Sequence, residues 1–541
     1  MIGVFKGVTM EEELKELLGD LRAGRVSRRD FVRKGLATGA TISSLGLLLH
    51  TTRPALAGPT HASPAAKQGG TLRVAIEGPG TSLDPAIIGD TATIGITHNI
   101  YNFLVRVDPN GVPYPDLATG WQTSADGLIW TFPLHKKVTF HSGKPFTAAD
   151  VIYTIQRLQN PKTGSAAASL LTSVTSVEAV DDTTVRFHLK APYPDLPVAL
   201  ADYHMCIIEK DFAGNFTTGP SGTGPWKLKE FSPADHALIV RNPTYFEAGL
   251  PYLDAVRFVF LPNASTQVAA IQSGSVDFIM ELNPIQAQPL AKVAGISLPI
   301  KPNSGFQLIH MRSDRAPFSD PRIRQAFKLV VDRPAINQVL FAGKGVIAND
   351  QPIAPAYTQW YSDVGTKGRD VAKAKALLSA AGHPKGIDAT LYTSTLVGGA
   401  DFATAYQQMA ADANINLKVV VESTSDYYAK DWLSADMAIT SWGARPAPGL
   451  LLSLLYRTGG IWNEGHYFNK NLDALIDGAS SAMDHAKRKA IYKQIETLIS
   501  NDGPSIIPAY SSFVFPYRAR VQGFVPMADT FHYYKTAWLS Q

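Results

Sequence analysis

Four stretches between residues 390 and 442 decide the fold: TLYTST (390–395), FATAYQQMAADA (402–413), LKVVVE (417–422) and MAITSW (437–442). The first, third and fourth are short runs rich in β-branched and aromatic residues, the composition of buried strands. The second carries apolar residues at helical spacing. Strand, helix, strand and strand in this order predict an α/β lobe. Working outward, Asp320-Pro321 places an N-cap and an N1 proline before RIRQAFKLVV, which predicts a helix start. A second helix is predicted over Val371–Ala381, stopped by Gly382 with Pro384 beyond it. Two more are predicted downstream, over Leu472–Ala482 and Ala486–Ser500. The last segment, Ser505–Gln541, turns strand-like and aromatic again. An excursion and a return of this kind point to a discontinuous first lobe with a second lobe inserted into it.

The first half is mixed. Thr71–Ile76 alternates as a strand does, and similar runs recur at Trp130–His135, Val185–Lys190 and Ala255–Leu261. Thr147 and Asp150 have capping-box spacing ahead of the helical VIYTIQRL. The Gly222-Thr223-Gly224-Pro225 segment suits a tight chain crossing, because glycine tolerates unusual φ and proline fixes it.

Bulk properties exclude several classes. The chain has 541 residues, 45% hydrophobic and 18% charged, which suits a globular protein with a large core. Residues 1–57 hold 9 of the 50 Lys and Arg and 6 of the 46 Asp and Glu, leaving 41 against 40 beyond them. A nearly neutral mature chain is a poor nucleic-acid binder. The single cysteine, Cys206, has no intramolecular disulfide partner and reads as a small core residue. No cofactor loop, H-E-x-x-H or G-x-S-x-G motif is present. The thirteen histidines are scattered, and His135 and His141 do not have the setting of metal ligands.

The N-terminus reads as an export leader. Ser27-Arg28-Arg29-Asp30-Phe31-Val32 is followed by the apolar run Leu36–Leu49 and by Ala55-Leu56-Ala57, an A-x-A cleavage site. The paired arginines resemble the twin-arginine class of signals. Residues 1–57 are therefore expected to be the leader and 58–70 a flexible mature N-terminus.

Eight segments then carry a resemblance that spans residues 70–515. They are SLDPA (82–86), PDLATGW (115–121), FHSGKPFTAADV (140–151), GTGPW (222–226), NPTYF (242–246), PFSDPRIRQAF (317–327), LLSAAGHPKG (377–386) and DGPSIIPAY (502–510). In this order they resemble the family 5 extracellular solute-binding proteins of ABC importers, the dipeptide, oligopeptide and nickel type. The resemblance implies a two-lobed, class II periplasmic-binding-protein fold of the large cluster C type, with an extra subdomain on lobe I. It places lobe I in residues 71–105, 222–305 and 505–541, the extra subdomain in 106–221 and lobe II in 306–504. It implies a periplasmic monomer that delivers a small-molecule solute to an ABC permease in the inner membrane, with no enzymatic step and no cofactor. The twin-arginine export machinery is its second expected partner.

The candidate site follows from one loop. Ligands of open α/β sheets sit beyond the carboxyl ends of strands. MAITSW ends at Trp442 and runs into Gly443-Ala444-Arg445-Pro446, where Trp442 offers a stacking face and Arg445 a fork for a carboxylate or phosphate. The family comparison matches Arg445 to the acidic residue with which dipeptide binders hold the ligand's ammonium. It also matches about Leu396–Gly399, here LVGG, to an arginine of those binders. Both handles for a free dipeptide are thus missing, and an anion-bearing or acyl-bearing, peptide-like solute fits better. Further ligand-binding candidates are Asp90, Thr91, Asn349, Asp350, Trp462, Asn463, Glu464 and His466. A nickel or metal-chelate binder on the same fold, a secreted hydrolase and a chemoreceptor-linked sensor are the alternative readings.

Overall fold

The computed structural model describes residues 66–395 and 398–540. The leader at 1–57, residues 58–65 and the Leu396-Val397 part of the second handle lie outside the described residues. Among the described residues no helix is long and apolar enough to cross a membrane.

Two seven-stranded sheets form the two lobes. In the first, Thr71–Ile76 runs parallel to Ala255–Phe260 on one side and to Phe278–Ile279 on the other. The hairpin His236–Arg241 and Trp226–Ser232 extends one edge, and Tyr517–Arg518 and Ile296–Ser297 extend the other. The second sheet is ordered Val346–Ile347, Ala509–Val514, Ile300–Met311, Met437–Trp442, Ile387–Ser394 and Ile415–Glu422, with Ser505–Ile506 also paired to Ile300–Met311. Ile387–Ser394 is parallel to both Ile415–Glu422 and Met437–Trp442. Three strand ends, at Ser394, Glu422 and Trp442, therefore lie along one edge of the second lobe. A separate four-stranded antiparallel sheet, ordered Gln122–Thr123, Ile129–Pro133, Thr184–Leu189 and Val174–Asp181, packs under the helix Ala148–Gln159.

The local rules explain these elements. Asp150 accepts the Thr147 backbone N–H at 2.8 Å, half of the capping box. Asp320 accepts the Arg322 N–H at 2.8 Å at the start of the helix Pro321–Leu329. A Cβ on Gly222 or Gly224 would stand 2.2 or 2.4 Å from the Ile100 carbonyl oxygen, so only glycine lets this segment close over the end of the helix Thr91–Ile100. Buried apolar residues such as Leu72, Phe132, Trp226 and Phe258 join the first lobe and the extra sheet in one core. The second lobe has its own, around Phe327, Leu391, Phe402 and Ile415.

Two expected boundaries move. Residues 505–541 were expected to return to lobe I, yet Ser505–Ile506 and Ala509–Val514 stay in the second sheet, and the first sheet resumes at Tyr517. Lobe II likewise begins before 306, because Ile300 pairs with Val514 and Lys301 with Phe513. A continuous antiparallel ladder keeps both strands in one sheet, and local composition carries no trace of that pairing. The chain passes between the lobes where Phe515 N–H donates to Pro299 O at 3.0 Å and Leu282 pairs with Val514. The end of the expected flexible segment is also tied down: Gly69 N–H donates to Tyr252 O and Gly70 N–H to Asp254 Oδ2, both at 2.8 Å.

Candidate ligand-binding cleft

The loop after Met437–Trp442 is placed by that strand's neighbours. Phe306 sits opposite Trp442 in the ladder, and the helix Pro448–Leu455 takes over beyond the loop. Trp442 is buried, and its indole N–H donates to Glu464 Oε1 at 3.1 Å. Trp432 donates to the same oxygen at 2.6 Å, and His310 Nδ1 lies 3.3 Å from Glu464 Oε2. Trp462 packs across Trp442 at 5.7 Å between ring centroids, nearly edge-on. Glu464 thus fixes the indoles that floor the loop.

Arg445 is half-buried above this floor, its guanidinium 5.7 Å from the Trp442 ring centroid. Among the described residues its side chain makes one hydrogen bond, a long one of 3.4 Å to Ala444 O, and no carboxylate lies within ion-pair distance. Its carbonyl oxygen accepts the Tyr357 hydroxyl at 2.9 Å. Tyr203 of the first lobe feels the Arg445 charge. Burial pushes the Tyr203 hydroxyl pKa up, Asp202 adds to the rise, and the Arg445 guanidinium opposes it. A second arginine meets the first lobe close by. Arg488 Nη1 donates to Asp195 Oδ1 at 2.7 Å, and Nη2 pairs with Oδ2. Arg488 Nε donates to Ala479 O at 2.8 Å, and the guanidinium lies 4.6 Å from the Trp360 ring centroid. Burial lowers the Arg488 pKa and the Asp195 carboxylate more than restores it.

The remaining candidates are held by their own neighbours. Asp90 caps the helix Thr91–Ile100, accepting from Thr93 N at 2.9 Å, Thr93 Oγ1 at 2.6 Å and Gly80 N at 3.2 Å. Thr91 is that helix's first residue. Asp350, expected at the cleft, is fully buried on Arg333 at 2.6 Å and accepts the Ile507 N–H at 3.1 Å. Asn349 is buried and donates to Gly365 O at 3.2 Å. Asn463 is a turn organiser that donates to Arg457 O and accepts from Tyr467 N. His466 has φ 42°, lies 3.1 Å from Leu433 O, and has its pKa lowered chiefly by burial. Glu464 itself has no exposed surface, which excludes it from direct ligand contact here. The structure therefore brings together Trp442, Gly443, Arg445 and Trp462, and gives the others structural partners. Sequence reading missed Tyr203, Tyr357, Asp195, Arg488 and Trp360. Only Arg488 carried a signal: a charge on the apolar face of its helix, with Tyr492 and Ile495 four and seven residues on.

With two lobes and a facing cleft described, the chain can be set beside known proteins. The model of the bacterial extracellular solute-binding proteins, family 5, matches residues 112–463. The chain belongs to that family. Family 5 is a family of binding proteins, and this member is a substrate-binding component of an ABC-type importer. Its relatives include the glutathione-binding protein GsiB of Pectobacterium atrosepticum, 27% identical over 482 residues, covering 85% of this chain and 92% of GsiB. Among solved structures, the periplasmic binding protein DppA of Helicobacter pylori in complex with the peptide STSA is 26% identical. It covers 88% of this chain and 99% of its own with a TM-score of 0.71. HbpA2 of Haemophilus parasuis is 25% identical, covers 87% of this chain and 100% of its own, and has a TM-score of 0.80. Among the described residues of this family 5 member, no group of three or more His, Cys, Asp or Glu side chains stands close enough to hold a metal ion.

Proposed function

We propose that this solute-binding protein captures a peptide-like or other small, anion-bearing solute between its lobes, without turnover, and delivers it to a membrane permease. The observation that carries the reading is Arg445. A guanidinium offers five donors, and this one has a single weak bond and no carboxylate partner among the described residues. An anionic group that accepted from it on lobe closure would complete the site. The family and the relatives named for glutathione and peptide binding support a peptide-like solute. Trp442, Gly443 and Trp462 would shape the floor. The test is mass spectrometry of the solute that copurifies from the native host, followed by calorimetry on wild type and Arg445→Ala. An anionic solute, recovered unchanged and weakened by the substitution, is the expected result. Submicromolar binding of a simple unmodified dipeptide, or unchanged affinity in the variant, would overturn the reading.

The same reading places the mature protein in the periplasm, acting as a monomer, after export through the twin-arginine pathway. The support is the order of Arg28-Arg29, the 36–49 apolar run and the A-x-A site at 55–57. Replacing both arginines by lysine should leave precursor in the cytoplasm, and normal maturation of that variant would reject this route.

A further inference from the structure

A chamber of about 220 Å³ opens beside the Arg445 loop, where the extra subdomain meets the second lobe. Trp121, Trp130 and Val198 line it from the first-lobe side, and Tyr357, Trp360 and Met483 from the second. Its walls join only where the lobes touch. The Asp195–Arg488 pair is one such contact, and the Thr358 hydroxyl, 3.4 Å from Asn110 O, is another. Pro446 lines the chamber directly after Arg445, and Tyr357 both lines it and donates to Arg445 O. The chamber and the Arg445 guanidinium are therefore adjacent parts of one cleft.

Size and chemistry select what the chamber takes. Small-molecule pockets have volumes of about 300–1,000 Å³, so this space suits one part of a ligand. A cavity of about 150 Å³ suffices for benzene, so a substituted ring fits. Three indoles and a phenol are among its lining, side chains suited to packing against a ring. The Trp360 ring is held in place, 4.7 Å from the His485 ring and 4.6 Å from the Arg488 guanidinium. Trp130 is 5% exposed and forms part of the chamber's wall. Asp195 and Arg488, the charged pair in the wall, satisfy each other and leave no net charge to be matched.

We infer that the chamber is a subsite for an aromatic ring, so that the solute has an anionic head on Arg445 and an aryl body between the tryptophans. This rests on the anion reading of Arg445 for the head, while the ring subsite stands on the chamber itself. The two parts are separated by the probes. N-Benzoylglycine should bind roughly 10- to 100-fold more tightly than N-acetylglycine by calorimetry, the gain expected for burying a ring. Uncharged benzamide tests the chamber alone: it should shift the indole N–H resonances of Trp121, Trp130 and Trp360 in nitrogen-15 spectra. Val198→Trp fills the space and should abolish both effects while leaving N-acetylglycine affinity unchanged. Arg445→Ala should weaken both acylglycines equally and leave the benzamide shifts intact. Absence of benzamide shifts, or equal affinity for the two acylglycines, overturns the subsite. Loss of the Arg445 dependence with the benzamide shifts retained overturns only the anion reading. Trp121→Ala provides a second variant, expected to lower N-benzoylglycine affinity selectively; no selectivity there also overturns the subsite.

Discussion

Two arginines of the second lobe face the first lobe across the same cleft, and they are treated in opposite ways. Arg488 is almost wholly buried and has its charge answered by Asp195, with Tyr492 and Ala479 taking further donors. Arg445 is half-buried and has no such partner among the described residues. The Arg488 pair joins residues 293 positions apart and belongs to the protein's own closure. On the proposed reading, the Arg445 fork is kept for the solute. The difference teaches that a cation in a cleft is informative through its partners. On that reading a paired arginine holds the lobes, and an unpaired one selects what is held.

Breaking the Asp195–Arg488 pair should have the largest effect. Removing one member of a buried ion pair costs about 3–5 kcal/mol when the other charge stays buried. Asp195→Ala should therefore shift the protein toward open lobes, where Arg488 regains water. Small-angle scattering should show an expanded ligand-free form, and affinity for the copurifying solute should fall by roughly 100-fold or more. Scattering curves and affinity identical to wild type would mean that the pair does not hold the lobes.

Arg445→Ala should come next, with about 1.5–3 kcal/mol lost from binding, or roughly 10- to 150-fold in affinity. Its melting temperature should stay close to that of wild type, since the side chain carries no internal ion pair. A variant that loses stability as much as affinity would make Arg445 a second structural arginine and erase the contrast. Arg445→Lys sharpens the point: a lysine cannot present two parallel donors, so it should recover only part of the lost affinity. Full recovery in calorimetry would show a contact through charge alone.

The last prediction concerns stability rather than binding and another buried group, on the Arg488 helix His485–Asp502. Glu496 has no exposed surface, accepts the Ser362 N–H at 2.9 Å, and leaves its other oxygen without a partner. Burial pushes its pKa up to about 8. The folded state then holds a proton that the unfolded state releases near the ordinary carboxylate pKa of about 4.3. Stability should therefore fall as pH rises from about 5 to 8, by at most about 1.4 kcal/mol per pH unit from this one group. Glu496→Gln should flatten that part of the profile in thermal melts at several pH values. A profile unchanged by the substitution would place the titration elsewhere.

Much of the fold was legible locally. Met437–Trp442 matches its predicted span, and the strand predicted over 390–395 begins three residues earlier, at Ile387. The helix predicted from Phe402 begins at Gly399. Starts are harder to read than middles because the first residues of an element lack the partners that define its period. The candidate site was legible only in part. The loop of Arg445 could be found because a strand end, a glycine and a proline are adjacent in the chain. Asp350 and Glu464 were misread because a polar residue in a Pro-rich or aromatic stretch looks the same whether it faces a ligand or a buried partner.

By itself, the sequence determined where helices and strands form, where Gly222 and Gly224 allow a close crossing, and which family the eight segments resemble. Each of these depends on residues within a few positions of one another, through propensity, capping and periodicity. Tertiary structure alone decided that Ala509–Val514 stays in the second sheet, that Asp195 answers Arg488, and that Arg445 is left without a carboxylate. Those outcomes depend on which distant side chains come within 3 or 4 Å after folding, and electrostatic and hydrogen-bonding energies fall off too steeply to be read from chain position.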